Sequence, residues 1–307
     1  FALEQHISCF NVESASELHR IARLATSTRT IAPISIRVNP DVDPNTHPYI
    51  STGLRENKFG VSVENALTLY REAKELDSLK IVGVDCHIGS QITELTPFLD
   101  ALTRILSLVD ELEAEAITLE HIDLGGGVGV KYQDEVPIEI GDFANAIAQV
   151  VSGRPQALVF EPGRLIVANA GVLLTTVNTL KCNDEKSFAV VDAAMNDLIR
   201  PALYSAWQEV TPVTLRGDVA GLEKKWDIVG PICETGDFLA KDRALSLEEG
   251  DLLAILSAGA YGFVMSSNYN SRPRSPEILV SGQEHDCIRK RETIDDLFVL
   301  ESMKPFS

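Results

Sequence analysis

Short apolar runs alternate with longer amphipathic segments through the first half of the chain. The runs "CFNVES", "ISIRVNP", "IVGVDCHIGSQ", "HIDLGGG" and "ALVFEPGR" have the composition of buried strands, and the last four lead directly into polar or glycine-rich residues. Between them, apolar residues recur at helical spacing. Ser14 and Glu17 form a capping box, and Leu18, Ile21, Ala22 and Ala25 follow at i, i+3, i+4 and i+7, which predicts a helix just after the first run. Ala66, Leu69, Tyr70 and Ala73 mark a second helix. Thr96 with Pro97 is expected to cap a third, whose stripe is Phe98, Leu102, Ile105, Leu106 and Val109. This alternation predicts α/β architecture around a parallel sheet. About five of the eight strands that close a barrel are present. The expectation is therefore a partial (β/α)8 TIM-like barrel, with roughly three further units of ~30 residues needed to complete it.

From about residue 170 the pattern changes to β-rich runs: "GVLLTTVNTL", "SFAVVDAAM", "KWDIVGPIC", "DLLAILSAGAYGF", "EILVSG" and "DDLFVLE". Helical periodicity is weak here, so an antiparallel β-rich domain is expected. The predicted fold is α/β plus all-β, with a barrel domain over residues 1–170 and a C-terminal β domain over 171–307. No low-complexity linker and no 20- to 50-residue repeat interrupts the chain.

Charge and cysteine content narrow the function classes. The 307 residues carry 27 Lys and Arg against 45 Asp and Glu, a net charge of -18. That disfavours nucleic acid or anionic lipid as a partner and points to a small molecule or another protein. No apolar run approaches the roughly 20 residues of a membrane helix. Cys9, Cys86, Cys182, Cys233 and Cys287 are widely spaced with no CxxC pair, which argues against a disulfide framework and a structural zinc site, and no metal is expected. A cytoplasmic location is expected.

Candidate chemistry gathers at the strand ends. "DLGGGVG" sets Gly125, Gly126 and Gly127 where bare backbone N–H groups can surround an anion, although a tight βα turn explains the same run. "EPGR" joins Glu161 to Gly163 and Arg164, whose guanidinium suits a phosphate or carboxylate; a salt-bridged surface turn is the alternative. "DCHIGSQ" adds His87 and Ser90. A lone histidine is more often structural, but at a sheet mouth its flat ring suits stacking on an aromatic cofactor as well as acid–base work. In the β-rich half, "MNDLIRPALY" puts Arg200 and Tyr204 on one helical face, a grip for a carboxylate or simply solvated surface. "GPICETGD" places Cys233 beside Glu234 in a turn, where taken alone the thiol is better explained as inert and buried.

Together "HIGSQ", "DLGGG", "EPGR", "NDLIRPALY", "GPICETGD", "AGAYGF" and "NYNSRPR", with "HPYISTGLRENKFGV", resemble the diaminopimelate decarboxylases over nearly the whole chain. The resemblance implies a pyridoxal 5'-phosphate enzyme that converts meso-2,6-diaminopimelate to L-lysine, acting as a homodimer with shared active sites. By the same resemblance, Gly125 to Gly127, Gly163, Ser90 and Arg164 would hold the cofactor phosphate, with Tyr261 adding a phenol. His87 would stack on the pyridine ring and Glu161 would face its nitrogen. Arg164, Arg200, Tyr204, Tyr261 and Glu234 would grip the amino-acid substrate. Cys233 would be the general acid, supplied across the dimer. A thiol suits that task, because it keeps its proton at neutral pH where an ordinary carboxylic acid has lost it.

One feature departs from the family. The cofactor-linking lysine of the family lies in an Ala-x-Lys-Ala strand near the N-terminus, and no such motif occurs in this sequence. Lys58 in "ENKFG" follows a loop and is read as rim charge. The missing lysine and the missing barrel strands together suggest an N-terminally truncated copy, inactive as given. Two other readings stay open: a related decarboxylase of a basic amino acid or carboxylated polyamine, and a non-catalytic protein of the same fold.

Overall fold

A computed structural model describes residues 1–43, 58–214 and 224–303. They divide into two units: Phe1–Val130 with Glu135–Leu165, and Lys131–Asp134 with Ile166–Ser307.

In the first unit the elements follow as β1 (Phe10–Val12), α1 (Ala15–Thr28), β2 (Ala32–Asn39), β3 (Val61–Ser62), α2 (Val63–Lys74), β4 (Leu79–Asp85), α3 (Thr96–Ala114), β5 (His121–Asp123), α4 (Ile140–Val150) and β6 (Ala157–Val159). The strands pair in parallel in the order β1-β2-β4-β5-β6, with the short β3 beside β2. This is an arc of a β/α barrel. Ile34, Ile36 and Val84 of the strands, Leu18 and Ala25 of α1, Tyr70 of α2, and Leu102, Ile105 and Val109 of α3 all enter one core. Burying a side chain of this kind contributes roughly 1.5–3 kcal/mol. Tyr70 is fully buried and can be so because its hydroxyl donates to the Gly83 carbonyl at 2.8 Å.

Local chemistry sets the helix starts. Ser14 Oγ accepts the Glu17 N–H at 3.2 Å, and the Glu17 carboxylate reaches back to the Glu13 N–H at 2.7 Å. At α3 the expectation needs correcting: Leu95 is the capping position and makes no side-chain bond, so Thr96 is already helical and Pro97 sits in the first turn. β3 and α4 are additions to the elements that periodicity predicted.

The short α5 (Arg164–Val167) leads toward the second unit, whose elements are β7 (Leu173–Cys182), β8 (Ser187–Val191), α6 (Arg200–Tyr204), β9 (Val210–Pro212), β10 (Lys224–Val229), β11 (Phe238–Leu245), β12 (Leu252–Ile255), β13 (Glu277–Ser281) and β14 (Glu284–Arg289). Six of the strands form a sheet in the order β11-β10-β8-β7-β12-β9, and β13 with β14 makes a separate hairpin. The domain is mostly antiparallel, but β8 and β10 run parallel, an exception to the expected pattern. A second correction concerns "DDLFVLE". Asp295–Phe298 is a 3-10 turn, because the Asp296 carboxylate accepts both the N–H and the hydroxyl of Thr293, closing the backbone locally.

Candidate active site

Strand register places the first set of polar groups. Arg37 on β2 pairs with Asp85 on β4, and Asp85 pairs with Asp123 on β5. Paired residues in neighbouring strands share a face, so these three side chains form a row. Asp123 pairs with Val159 on β6, and Glu161 lies two residues further on, which returns it to the same face. Carboxyl oxygens of Asp85, Asp123 and Glu161 come within 4.8 Å of one another. Arg37 answers the charge: its Nε is 3.7 Å from Asp85, and its Nη1 pairs with Glu13 at 2.8 Å.

Crowded carboxylates resist ionisation, and here Asp85 and Asp123 are buried while Glu161 is exposed. Burial, then the charge of Asp123, pushes the Asp85 carboxyl up to about 7 in spite of Arg37. Burial also raises Asp123, although the Gly125 N–H bonding to its Oδ1 at 2.8 Å pulls the other way. Glu161 is raised by burial and by Asp123.

The glycine loop is fitted against these strand ends. A Cβ on Gly126 would sit 2.2 Å from the Glu161 carbonyl, and Gly127, at φ +108°, would put one 2.3 Å from the Gly89 carbonyl. Neither position tolerates a side chain. Glu161 N–H donates to the Gly125 carbonyl at 2.8 Å, and Ile92 N–H to the Gly127 carbonyl at 2.9 Å. Gln91 clamps the end of the loop, its amide bonding both the N–H and the carbonyl of Val130.

His87 is locked onto this loop. The Gly126 N–H donates to its Nδ1 at 3.1 Å, so the neutral ring carries its proton on Nε2. Burial, assisted by Arg37, lowers His87 to about 4, which keeps the ring uncharged at neutral pH. A flat, neutral imidazole suits stacking better than proton donation. Close by in the same unit, the buried Arg164 donates from Nη2 to Ser90 Oγ at 3.0 Å. Gly163 faces open space and carries no steric requirement of its own.

The second unit holds the other predicted residues. Arg200 and Tyr204 open and close α6, with Pro201 in its first turn. The "GPICETGD" turn hangs on Asp237, which is 4% exposed and accepts the N–H groups of Met195 and Ile232, each at 2.7 Å. Cys233 and Glu234 thereby project from a fixed base. Both are exposed, so the inert buried thiol is not what the structure contains. Tyr269 donates to Glu234 at 2.6 Å, and Asn270 accepts the Cys233 N–H at 3.4 Å. Arg272 ties the same segment to Asn196 at 2.9 Å and to the Asp192 carbonyl at 2.6 Å. Tyr261 is 41% exposed and takes left-handed backbone at φ 55°. Residues 47–57 of "HPYISTGLRENKFGV" lie outside the described residues. Lys58 is exposed and rests over the Phe59 ring at 5.1 Å, as a rim charge does.

The arc of parallel strands ends in a glycine cradle, a neutral histidine and a crowded glutamate, and residues 1–168 match the family model "Pyridoxal-dependent decarboxylase, pyridoxal binding domain", which places the chain among the pyridoxal-dependent decarboxylases. Relatives refine the assignment. The diaminopimelate decarboxylase of Pseudomonas aeruginosa is 60% identical over 304 residues, 99% of this chain and 72% of the relative. That of Vibrio cholerae is 54% identical over 305 residues, again 99% and 72%. The crystal structure of the Helicobacter pylori enzyme complexed with L-lysine superposes with a TM-score of 0.93 at 44% identity, covering 98% of this chain and 74% of that one. The chain belongs to the diaminopimelate decarboxylase family. The expectation of an inactive chain gains no support from matches that run over 99% of its length.

Several groups escaped sequence reasoning. Arg37 lies in no motif, and Asp85 opens "DCHIGSQ" with nothing in the string to mark its role; both follow from register, which a single sequence does not display. Asp237 was legible as part of "GPICETGD", yet nothing in the string told the anchor from the projecting residues.

Proposed function

We propose that the protein removes carbon dioxide from meso-2,6-diaminopimelate to release L-lysine, using pyridoxal 5'-phosphate seated at the strand ends of the first unit. The observation that carries this is the convergence of His87, Gly125 to Gly127, Glu161, Ser90 and Arg164 on successive strand ends. The residues fit the cofactor. Ser90 with Arg164 offers a phosphate a hydroxyl and a guanidinium, and the bare glycine backbone lets that anion approach closely. Neutral His87 offers a ring face. A ring nitrogen that becomes cationic suits the corner where three carboxyls crowd, with Glu161 as its partner. When bound, pyridoxal phosphate supplies the electron sink for the pair left behind as carbon dioxide departs.

The remaining steps belong to the chain. Arg200, with Tyr204 beside it, holds the carboxylate of the amino-acid end that does not react, and Glu234, oriented by Tyr269, holds its ammonium. Arg164 and Tyr261 contribute to both cofactor and substrate. Cys233 returns a proton to the carbon that lost its carboxylate. The lysine bound in the Helicobacter pylori relative supports an amino-acid ligand of this size. The five cysteines are free thiols, which suits a cytoplasmic location.

The exposed "CETGD" turn suits a homodimer in which each protomer's Cys233 serves its partner's site. Mixing His87→Ala with Cys233→Ala protein tests this. Shared sites predict recovery of about a quarter of wild-type activity, because half the dimers are mixed and each has one intact site. No recovery would mean that Cys233 acts within its own chain. The cofactor seat is tested by equilibrium dialysis of pyridoxal phosphate. Wild-type protein is expected to bind it, and Gly126→Val, checked by circular dichroism for retained fold, to lose it; equal binding would refute the seat.

A further inference from the structure

Arg200 is 6% exposed, an uncommon place for a guanidinium unless neighbours hold it. Its Cζ lies over the Tyr132 ring, 4.2 Å from the centroid. Its Nη1 donates to the side-chain oxygen of Gln208 at 2.5 Å, in the amide orientation that also lets the Gln208 nitrogen donate to the Leu256 carbonyl at 2.6 Å. Gln208 is 1% exposed. Its backbone carbonyl accepts from Arg243 Nη2 at 3.1 Å. Arg243 lies in turn over the Trp207 ring at 3.1 Å and donates to the Lys241 carbonyl at 2.9 Å.

Gln208 is thus fixed through its carbonyl, its amide nitrogen and its amide oxygen. Tyr132 covers one side of the Arg200 guanidinium, a contact that by itself does not fix where its N–H groups point. The bond to Gln208 restrains the direction of Nη1, and direction is what a planar fork needs to meet a carboxylate. The choice of an amide matters. A neutral acceptor orients the cation without setting a second anion beside it, whereas a carboxylate at 208 would compete with the substrate's own.

We propose that Gln208 is a positioning residue that aims Arg200, and so sets the preference of the site for an amino-acid end bearing a carboxylate. This rests on the role given to Arg200 above. The experiment is titration calorimetry of the intact protein, with pyridoxal phosphate present, against L-lysine and against 1,5-diaminopentane, which is lysine without the carboxylate. The readout is the ratio of the two affinities, which a loss of folded protein does not change.

Gln208→Met keeps the volume and loses both the acceptor for Arg200 and the donor to Leu256. It is expected to cut the preference for L-lysine about tenfold, the scale of one hydrogen bond to a charged group, with 1,5-diaminopentane affinity held within about twofold. Gln208→Glu keeps the acceptor, loses the donor to Leu256 and adds the charge, and is expected to cut the preference as well. If Gln208→Met does not fold, Gln208→Glu decides. Arg200→Met separates the two ideas. If it retains the preference, the role of Arg200 is wrong and the proposal falls with it. If Arg200→Met loses the preference while a folded Gln208 variant keeps it, Arg200 stands and Gln208 is overturned.

Discussion

Asp85→Asn should make the protein more stable, and increasingly so as the pH rises. Asp85 is 2% exposed and stands in the row with Asp123, Glu161 and Arg37; Glu13 lies behind Arg37, and Tyr70 and Cys86 are also near enough to share its field. Its carboxyl titrates at about 7 against an ordinary 3.8, chiefly through burial and then through Asp123. The folded chain therefore holds this proton more tightly than the unfolded one. The associated stability is full below pH 3.8 and is lost as the pH rises through about 7. At about 1.36 kcal/mol per pH unit, the displacement amounts to roughly 4 kcal/mol across the whole range, and about 2–3 kcal/mol of it falls between pH 5 and pH 8. An asparagine of the same shape does not titrate, and removing the Asp85 charge also relieves Asp123 and Glu161, which acts in the same direction.

The measurement is urea denaturation at half-unit steps of pH, followed by ellipticity at 222 nm, which reports α1 to α4 of the first unit. Tryptophan fluorescence would report the wrong part, since Trp207 and Trp226 both belong to the second unit. The stability difference between variant and wild type should widen by about 2–3 kcal/mol from pH 5 to pH 8. Parallel curves would refute the reasoning, because they would mean that Asp85 ionises in the folded chain as freely as in the unfolded one.

Other predictions follow from the same geometry. By heteronuclear NMR, His87 should stay neutral down to about pH 4, with Nδ1 unprotonated, since Gly126 already donates to it; stability linked to this ring falls as the pH drops from about 6.5 toward 4. Asp237→Ala removes the acceptor of one buried and one part-buried N–H group and should cost about 2–4 kcal/mol by urea denaturation read from tryptophan fluorescence. The Lys224 ammonium lies 3.0 Å from Cys182 Sγ and lowers that exposed thiol, while burial raises Cys86. Iodoacetamide at pH 7 should label Cys182 well before Cys86, by peptide mass spectrometry, and Lys224→Met should slow the Cys182 reaction.

What could be read from the sequence was whatever local spacing and motif strings carry. The stripes of α1, α2 and α3 and the apolar runs that became β1, β2, β4, β5 and β6 are local patterns, and the glycine loop and Arg164 are strings with chemical meaning. β14 was not legible, because "EHDCIR" is exposed along its whole length and carries no alternation. β11 was missed because "FLAKDRAL" lacks β-branched residues and its pairing with β10 supplies what propensity does not. The Asp85–Asp123–Glu161 corner is a product of register, and the hold of Gln208 on Arg200 joins residues eight apart that share no motif. Such contacts exist only once the chain has folded.

The measurement closest to the central claim is product analysis after incubating the intact protein with pyridoxal phosphate and carboxyl-labelled meso-2,6-diaminopimelate. Equal amounts of L-lysine and labelled carbon dioxide are expected, with Glu161→Gln and Cys233→Ala both much slower. A fully loaded protein that releases neither product, or that decarboxylates L-lysine in preference, would contradict the function assigned to the site.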